Sequence, residues 1–334
     1  MKVAVLSPVA WRTPPRHYGP WEQVASNITE GLVKLGVDVS LFATGDSHTG
    51  GKLHSVCATG YEEDRTQDAK VLECLHISNL MERAGEFDII HNNFDFLPLT
   101  YSGLIKTPVI TTIHGFSSPK IIPVYKKYNK SGHYVSISNS DRSPELDYLA
   151  TVYNGLNTGQ FEFNDAPEDY LLYFGRIHHD KGTAEAIEIA KKSKRKLLIA
   201  GLVQDANYFK EKVEPHLSDD IVYLGNAEPA QRNKLLRNAY ALLHPINFNE
   251  PFGMSVAEAM LCGTPVIAFN KGSMPELIKD GETGFLVTNI YEAVAAVGAV
   301  KDIRRQACRE RSESQFSCDK MAGDYLELYR KILG

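Results

Sequence analysis

The stretch Glu250-Pro251-Phe252-Gly253-Met254-Ser255-Val256-Ala257-Glu258-Ala259-Met260 combines a tight turn with the start of a helix. Pro251 and Gly253 punctuate the turn, and residues that favour a helix follow them. Gly263-Thr264-Pro265 then ends the helix, and the apolar run Val266-Ile267-Ala268-Phe269 predicts the next strand. A turn, a helix and a buried strand in this order are typical of an α/β fold.

The chemistry of the same stretch favours a phosphate beside hydroxyl groups. Pro and Gly before a helix leave backbone N–H groups pointing out of its first turn, where an anion binds well. Glu250 and Glu258 lie eight positions apart, and a carboxylate beside a phosphate is better suited to the hydroxyls of a sugar or ribose. We therefore predict a sugar-nucleotide site, the alternative being an ordinary helix start with solvated glutamates.

The first half of the chain alternates strand and helix signals. Its first helix carries Val24, Ile28, Leu32 and Leu35 at helical spacing, before a glycine C-cap at Gly36. Short apolar strands separated by helices predict a parallel sheet that is covered on both faces. The predicted strands are residues 3–6, 37–42, 87–91, 108–114 and 134–137.

The same pattern restarts after residues 157–169, a polar segment with Pro167 that predicts an interdomain linker. A last helix, predicted over residues 320–332, has Met321 and Tyr325 among its apolar positions and fits either half of the chain. Because 334 residues are long for one core, we predict two similar α/β domains. The further strands predicted here are residues 169–174, 196–201, 221–225 and 241–244.

Composition narrows the class of protein. The net charge of −5 argues against a nucleic-acid binder, and no apolar run approaches the roughly 20 residues that span a bilayer. The apolar run at residues 3–6 is too short for a signal peptide. The five cysteines are odd in number, scattered and without a C-x-x-C pair, which predicts neither disulfides nor a zinc site and favours a reducing cytoplasm.

Two segments are basic, at residues 120–130 and 191–196. For the second segment we favour a solvated helix end. The first segment offers contact with an anionic membrane surface or an acidic acceptor, and its simpler interpretation is again a solvated helix face.

A second motif, Phe174-Gly175-Arg176-Ile177-His178-His179-Asp180-Lys181-Gly182, directly follows a predicted strand. In an open parallel sheet, ligands bind outside the carboxyl ends of the strands. The fork of Arg176 and the point charge of Lys181 are suited to neutralising a departing nucleoside diphosphate. Taken alone they would be surface cations, but their coincidence with the Glu250 stretch favours a shared site.

Two motifs in the first half point the same way. Tyr18-Gly19-Pro20-Trp21-Glu22 opens the first helix, where Gly19 lets the backbone approach a ligand closely and the helix start can face an anion. Thr111-Thr112-Ile113-His114-Gly115-Phe116 puts His114 at a strand end, suited to bonding a sugar hydroxyl or orienting a reacting group. For His91 we favour a structural role.

Together these motifs resemble the family-4 retaining glycosyltransferases. The resemblance also rests on Tyr153-Asn154-Gly155-Leu156, Gly272-Ser273-Met274-Pro275-Glu276-Leu277-Ile278 and Gly281-Glu282-Thr283-Gly284-Phe285-Leu286-Val287. It implies the GT-B fold, in which two Rossmann-like domains with parallel sheets face each other across a cleft. The implied domains are residues 1–157 plus 318–334, on the acceptor side, and residues 158–317, which bind the nucleotide sugar.

The resemblance also implies a role for each matching residue. Arg176 and Lys181 would hold the donor diphosphate, Glu250 would face the hydroxyls of the transferred sugar, and His114 would lie near that sugar. Glu258 would bind the ribose hydroxyls, Gly19 would approach the phosphate, and the backbone at the helix start would contact sugar and phosphate. The implied donor-binding residues are Gly19, Phe252, Gly253, Met254, Ser255 and Glu258.

The spacing of the two glutamates argues against an acid/base pair. A retaining glycosidase needs its carboxyl groups roughly 5 Å apart, whereas eight helical residues rise about 12 Å. The retention implied by the resemblance means front-face attack, in which the leaving diphosphate accepts the acceptor's proton and the cations stabilise it. No D-x-D-like metal motif is required, so we predict catalysis without a metal or other cofactor.

The predicted activity is transfer of a hexose from a nucleoside-diphosphate sugar to a hydroxyl of a glycan, a lipid-linked sugar or a small molecule. Uridine, guanosine and adenosine diphosphates remain open, with uridine favoured. One alternative is a GT-B epimerase, which would act without an acceptor. Another is a non-catalytic two-domain sugar-binding protein, which would not need the cations Arg176 and Lys181.

Overall fold

The computed structural model describes residues 1–116 and 118–334, which divide into two compact units. The first unit comprises Met1–Gly155 together with Cys318–Gly334, and the second comprises Leu156–Ser317. In the part of the chain that the structure describes, no helix is long and apolar enough to cross a membrane.

Parallel strands form the centre of the first unit. They are β1 (Lys2–Leu6), β2 (Asp38–Phe42), β3 (Lys52–His54), β4 (Ile89–Asn92), β5 (Val109–Ile113), β6 (His133–Ser136) and β7 (Tyr148–Thr151). Among the described residues they pair in the order β3-β2-β1-β4-β5-β6-β7, and each neighbouring pair is parallel.

Helices cover both faces of this sheet because side chains alternate along each strand. On one face, Val3 and Val5 of β1 share a core with Ile28 and Tyr325. On the other face, Ala4 and Leu6 share a core with Ile77 and Leu80, among others. The helices of this unit are α1 (Pro20–Lys34), α2 (Ala69–Met81), α3 (Ile122–Lys127) and α11 (Cys318–Leu333).

The second unit repeats the architecture with a smaller sheet. Its strands are β8 (Tyr170–Phe174), β9 (Lys196–Ala200), β10 (Ile221–Tyr223), β11 (Ala241–His244), β12 (Val266–Phe269) and β13 (Gly284–Val287). They pair in parallel in the order β10-β9-β8-β11-β12-β13. The helices are α4 (Thr183–Ser193), α5 (Ala206–Tyr208), α6 (Pro229–Asn238), α7 (Met254–Leu261), α8 (Met274–Leu277), α9 (Ile290–Ala299) and α10 (Arg305–Phe316).

Every strand predicted from the sequence is present, and α11 covers the predicted last helix. That helix packs in the first unit, where Tyr325 and Tyr329 are buried in the core. The segment predicted as a linker, residues 157–169, lies within the second unit: Phe161 is buried, and the backbone N–H groups of Asn164 and Glu168 donate to the carbonyls of Cys262 and Asn238. Its polar side chains face outward while its backbone is tied to the second unit.

Candidate functional site

Two adjacent strands of the second unit carry the predicted charged residues. β8 runs directly into Gly175 and Arg176, and β11 runs into the segment that ends at Glu250. Because the strands are parallel neighbours, their carboxyl ends meet at one edge of the sheet. The backbone N–H of Asn247 donates to the carbonyl of Asp180 at 2.7 Å, which ties the two loops together.

Gly182 allows these loops to approach each other. It has a φ of +72°, and a Cβ atom added there would lie 1.8 Å from the carbonyl oxygen of Pro245. No other residue fits this position without moving one loop. The close contact places Lys181, one residue earlier, against the loop that carries Glu250.

Lys181 and Glu250 form an ion pair in the interior of this site. Their side chains are only 14% and 13% exposed, and the ammonium donates to Oε2 of the carboxylate. The ammonium also lies 4.6 Å from the centre of the Phe248 ring, a cation–π distance. His244 lies behind the pair, with its Nε2 atom 3.8 Å from Oε2 of Glu250.

The start of α7 lies directly after Glu250. Gly253 occupies its N-cap with a φ of +93°, so no side chain caps the helix. The turn is braced from α8: the Ser273 N–H donates to the carbonyl of Glu250 at 3.0 Å, and the Ser273 hydroxyl donates to that of Phe252 at 2.6 Å. A helix start held in this way favours an anion.

Glu258 lies further along α7 and has a different partner. Its carboxylate is 6% exposed and accepts a hydrogen bond from Arg232 at 3.1 Å. Burial raises the pKa of Glu258, and the charge of Arg232 opposes that rise. The two glutamates thus bind separate cations, Lys181 and Arg232, as two separate contact points rather than one carboxylate pair.

Arg176 is held by an amide instead of a carboxylate. Its guanidinium donates to Oε1 of Gln204, and its carbonyl accepts from the Tyr173 hydroxyl at 2.8 Å. Among the described residues it makes no ion pair. Its positive charge is therefore uncompensated, as expected of a group that binds an anionic ligand.

The loop after β8 also contains three potential metal ligands. His178, His179 and Asp205 each offer one ligand atom, and these atoms lie within 4.8 Å of one another. Asp180 competes for the same rings, since its carboxylate lies 3.3 Å from Nδ1 of His178 and 2.9 Å from Nε2 of His179. The trio offers ligand types that suit a borderline cation such as Zn²⁺, and the contacts of both rings with Asp180 also explain its geometry.

In the first unit, His114 lies at the end of β5, as predicted. Its Nε2 atom is 3.0 Å from Oδ1 of Asn93, and its ring stacks on Trp21 with centroids 5.8 Å apart. Its Nδ1 atom and the Nδ2 atom of Asn93 are both shielded from solvent and lack partners among the described residues. Burial lowers the pKa of His114 to about 3, so the ring is neutral.

The loop before α1 adds a buried carboxyl group. Gly19 has a φ of +153°, and a Cβ atom there would lie 2.8 Å from Cβ of Pro15. Glu22 is 3% exposed, and its carboxylate accepts from the Trp11 N–H at 3.3 Å. Burial raises the pKa of Glu22 to about 7.

Several residues that surround the predicted site residues in the two units had been given no role from the sequence, among them Glu22, Asn93, Arg232, His244 and Phe248. His244 ends a strand, as His114 does, and that position was the available signal. The others come from packing, which no spacing pattern reveals. His91, for which a structural role is favoured, is buried between the hydroxyls of Tyr329 and Thr112 at 2.6 and 2.7 Å.

Known proteins are similar to this chain over most of its length. An uncharacterized 41.2 kDa protein in the cps region of Klebsiella pneumoniae is 31% identical over 295 residues, which cover 74% of this chain and 79% of that protein. The uncharacterized glycosyltransferase MJ1607 of Methanocaldococcus jannaschii is 24% identical over 336 residues, covering 86% and 85%. Among solved structures, Anabaena HepE in complex with UDP and glucose has a TM-score of 0.75 at 18% identity, covering 99% of both chains.

The similarity to solved structures confirms the predicted fold class, GT-B with two parallel-sheet α/β domains. A family model for the group 1 glycosyl transferases matches residues 159–313, which include Arg176, Lys181, Glu250 and Glu258. The relative MJ1607, which aligns over most of the chain, is itself named a glycosyltransferase. The chain belongs to the group 1 glycosyl transferases, and the protein is a glycosyltransferase.

Proposed function

We propose that this glycosyltransferase moves a hexose from a nucleoside-diphosphate sugar to a hydroxyl of an acceptor, with retention of the anomeric configuration. The ion pair of Lys181 and Glu250 carries the proposal. It is buried beside an uncapped helix start, at the carboxyl end of a parallel sheet. This arrangement offers cations and N–H groups to a phosphate and a carboxylate to sugar hydroxyls.

Each predicted donor contact has a chemical reason. Arg176 and Lys181 bind the diphosphate together with the backbone N–H groups at the start of α7, at Gly253, Met254 and Ser255. Glu250 accepts hydrogen bonds from the transferred sugar, and Glu258 accepts them from the ribose. Phe252 is buried and shapes the turn that presents these groups. Uridine is the proposed base, supported by HepE in complex with UDP and glucose.

The reaction needs charge stabilisation more than acid/base chemistry. As the bond between sugar and diphosphate breaks, negative charge grows on the leaving oxygen, next to Lys181, Arg176 and the positive end of α7. The leaving phosphate accepts the proton of the acceptor hydroxyl, which attacks from the same face. These cations replace a metal ion, so the proposed reaction is metal-independent.

The first unit is the proposed acceptor side. His114 is neutral and has a buried Nδ1 atom without a partner among the described residues, which suits a hydrogen bond to an uncharged hydroxyl. The role of Gly19 in donor binding stays a prediction from the resemblance. The acceptor is a glycan, a lipid-linked sugar or a small molecule, and contact of residues 120–130 with an anionic membrane surface stays a prediction. The five free thiols support the proposed cytoplasmic location.

Thermal-shift measurements with UDP-, ADP- and GDP-sugars test the donor proposal. A ligand at 100 times its Kd stabilises the folded protein by about 2.7 kcal/mol, so the correct nucleotide sugar should raise the Tm clearly above the value without ligand. If none of the three nucleotide classes raises the Tm, the donor proposal is wrong.

Product analysis with the stabilising donor tests the reaction. We expect nucleoside diphosphate to be released only when an acceptor is present, and NMR of the product to show the donor's anomeric configuration. Release or epimerisation of the sugar without an acceptor would favour the epimerase. An inverted anomer would contradict retention.

A further inference from the structure

His244 is a buried residue that the proposed donor contacts leave unexplained. It ends β11, it is 6% exposed, and its Nε2 atom is shielded from solvent. Among the described residues that atom has no hydrogen-bond partner, because Oε2 of Glu250 lies 3.8 Å away, too far for a hydrogen bond. Buried polar atoms are nearly always satisfied, so this one indicates a partner in another state of the site.

Lys181 is the reason why His244 lacks that partner. It forms an ion pair with Oε2 of Glu250, the same atom that lies 3.8 Å from Nε2 of His244. Burial lowers the pKa of His244 to about 4, with Glu250 opposing the shift and Lys181 adding to it. The imidazole is thus neutral at pH 7, and with its proton on Nε2 it donates a hydrogen bond without repelling the nearby ammonium.

We propose that His244 is a positioning residue. When a donor diphosphate binds Lys181 in place of Glu250, His244 donates a hydrogen bond to Glu250 and so orients its carboxylate toward the transferred sugar. The inference rests on the proposed function. A diphosphate carries more negative charge than one carboxylate and competes with Glu250 for Lys181. Glu250 then needs to move by only about 1 Å for its Oε2 atom to reach hydrogen-bond distance of Nε2.

This exchange of partners predicts different effects on the binding of a nucleoside diphosphate and of a nucleoside-diphosphate sugar. A nucleoside diphosphate alone binds Lys181 but presents no sugar hydroxyl to Glu250. A nucleoside-diphosphate sugar uses both Lys181 and the reoriented Glu250. Loss of the His244 donor should therefore weaken the binding of the sugar-bearing ligand and leave the binding of the nucleotide unchanged.

The test measures the affinity of the full-length protein for UDP and for UDP-glucose by calorimetry, with ADP, ADP-glucose, GDP and GDP-mannose as further pairs. His244→Phe keeps a planar ring and removes the donor, and His244→Gln supplies an amide N–H instead. His216→Ala, at an exposed position of the same unit, is the control. We expect the affinity of H244F for the sugar nucleotide to fall about tenfold or more, while its affinity for the nucleotide stays unchanged. H244Q should retain most of the affinity for the sugar nucleotide.

A double substitution tests the coupling to Glu250. In an E250A background, H244F should cause no further loss of affinity, because its proposed partner is already absent. Equal losses for nucleotide and sugar nucleotide, no loss in H244F, or the same loss with and without Glu250 would each overturn the role of His244. If the unsubstituted protein binds none of the six ligands, the proposed function itself is wrong.

Discussion

The polar centres of the two units differ in charge. In the second unit, Lys181 and Glu250 are an ion pair, Arg232 bonds to Glu258, and Arg176 is an uncompensated cation among the described residues. In the first unit, the imidazole of His114 is neutral and stacks on Trp21, and two buried polar atoms lack partners. A charged centre favours an anionic ligand and a neutral one favours hydroxyl groups, which agrees with the proposed donor side in the second unit and acceptor side in the first.

Removing the central cation of the second unit should have the largest effect. Lys181→Ala removes a positive charge whose proposed interaction with the leaving phosphate strengthens as the bond between sugar and diphosphate breaks. We expect turnover to fall about 100- to 1,000-fold, the range seen when one stabilising group is lost from an active site. Initial rates at saturating donor measure it, with Lys192→Ala, an exposed partner of Glu188 on α4, as the control. A rate like that of the unsubstituted protein would contradict the role of Lys181.

Glu22 tests whether the polar centre of the first unit favours neutral groups, in contrast to the charged centre of the second unit. Its pKa is raised from 4.5 to about 7 by burial, so the folded state holds a proton that the unfolded chain releases at lower pH. Glu22→Gln should therefore not change stability at pH 4, and should increasingly stabilise the protein as pH rises from 4.5 to 7. Above pH 7 the gain is constant at about 3 kcal/mol.

Denaturant unfolding at pH 4 and pH 8 measures this difference. Glu327→Gln, at an exposed position on α11, is the control and should show no pH-dependent gain. If Glu22→Gln leaves the free energy of unfolding unchanged at pH 8, then Glu22 ionises without penalty and the first unit's polar centre is not selective for neutral groups.

How much of the fold the sequence predicts depends on where a strand lies in its sheet. Interior strands such as β1 and β8 are covered on both faces and appear as unbroken apolar runs. The three strands missed, β3, β7 and β13, all lie at sheet edges. β3 gives no such run because its sequence Lys52-Leu53-His54 is largely polar and exposed. β10, also at an edge, carries the apolar run Ile221-Val222-Tyr223 and was predicted.

The polar centres of the two units also differ in how well the sequence predicts their residues. Arg176, Lys181, Glu250 and Glu258 lie in short contiguous motifs whose spacing could be read directly. In the first unit, His114 and Asn93 come together only because β4 and β5 are neighbours in the sheet. His244 was missed although it ends a strand as His114 does, because the pattern does not show which strand-end residue is unsatisfied, and only the structure reveals its unpartnered nitrogen.

Glu258 sharpens the comparison within the second unit. Glu258→Ala removes the proposed ribose contact, so donor affinity should fall about tenfold to a hundredfold, the range for hydrogen bonds to a charged group. The affinity for UDP and the affinity for UDP-glucose should fall equally, because both ligands contain the ribose. The His244 variant, in contrast, should lose affinity only for UDP-glucose. Calorimetry measures it, with the exposed Glu188→Ala as the control. An unchanged donor affinity together with weaker acceptor binding would move Glu258 to the acceptor side.

The smallest expected effect is that of metal removal. If Arg176, Lys181 and the start of α7 stabilise the leaving phosphate, EDTA should leave the initial rate unchanged within about twofold, because no step requires an ion. His178, His179 and Asp205 make this a sharp test, since they are potential ligands in the same loop as Lys181. A strong loss in EDTA, restored by Mg²⁺ or Mn²⁺, would contradict the metal-independent mechanism. If His179→Ala, at an exposed ring, then abolished the response to the added ion, we would conclude that the ion binds at this trio. It would then stabilise the leaving phosphate together with Arg176.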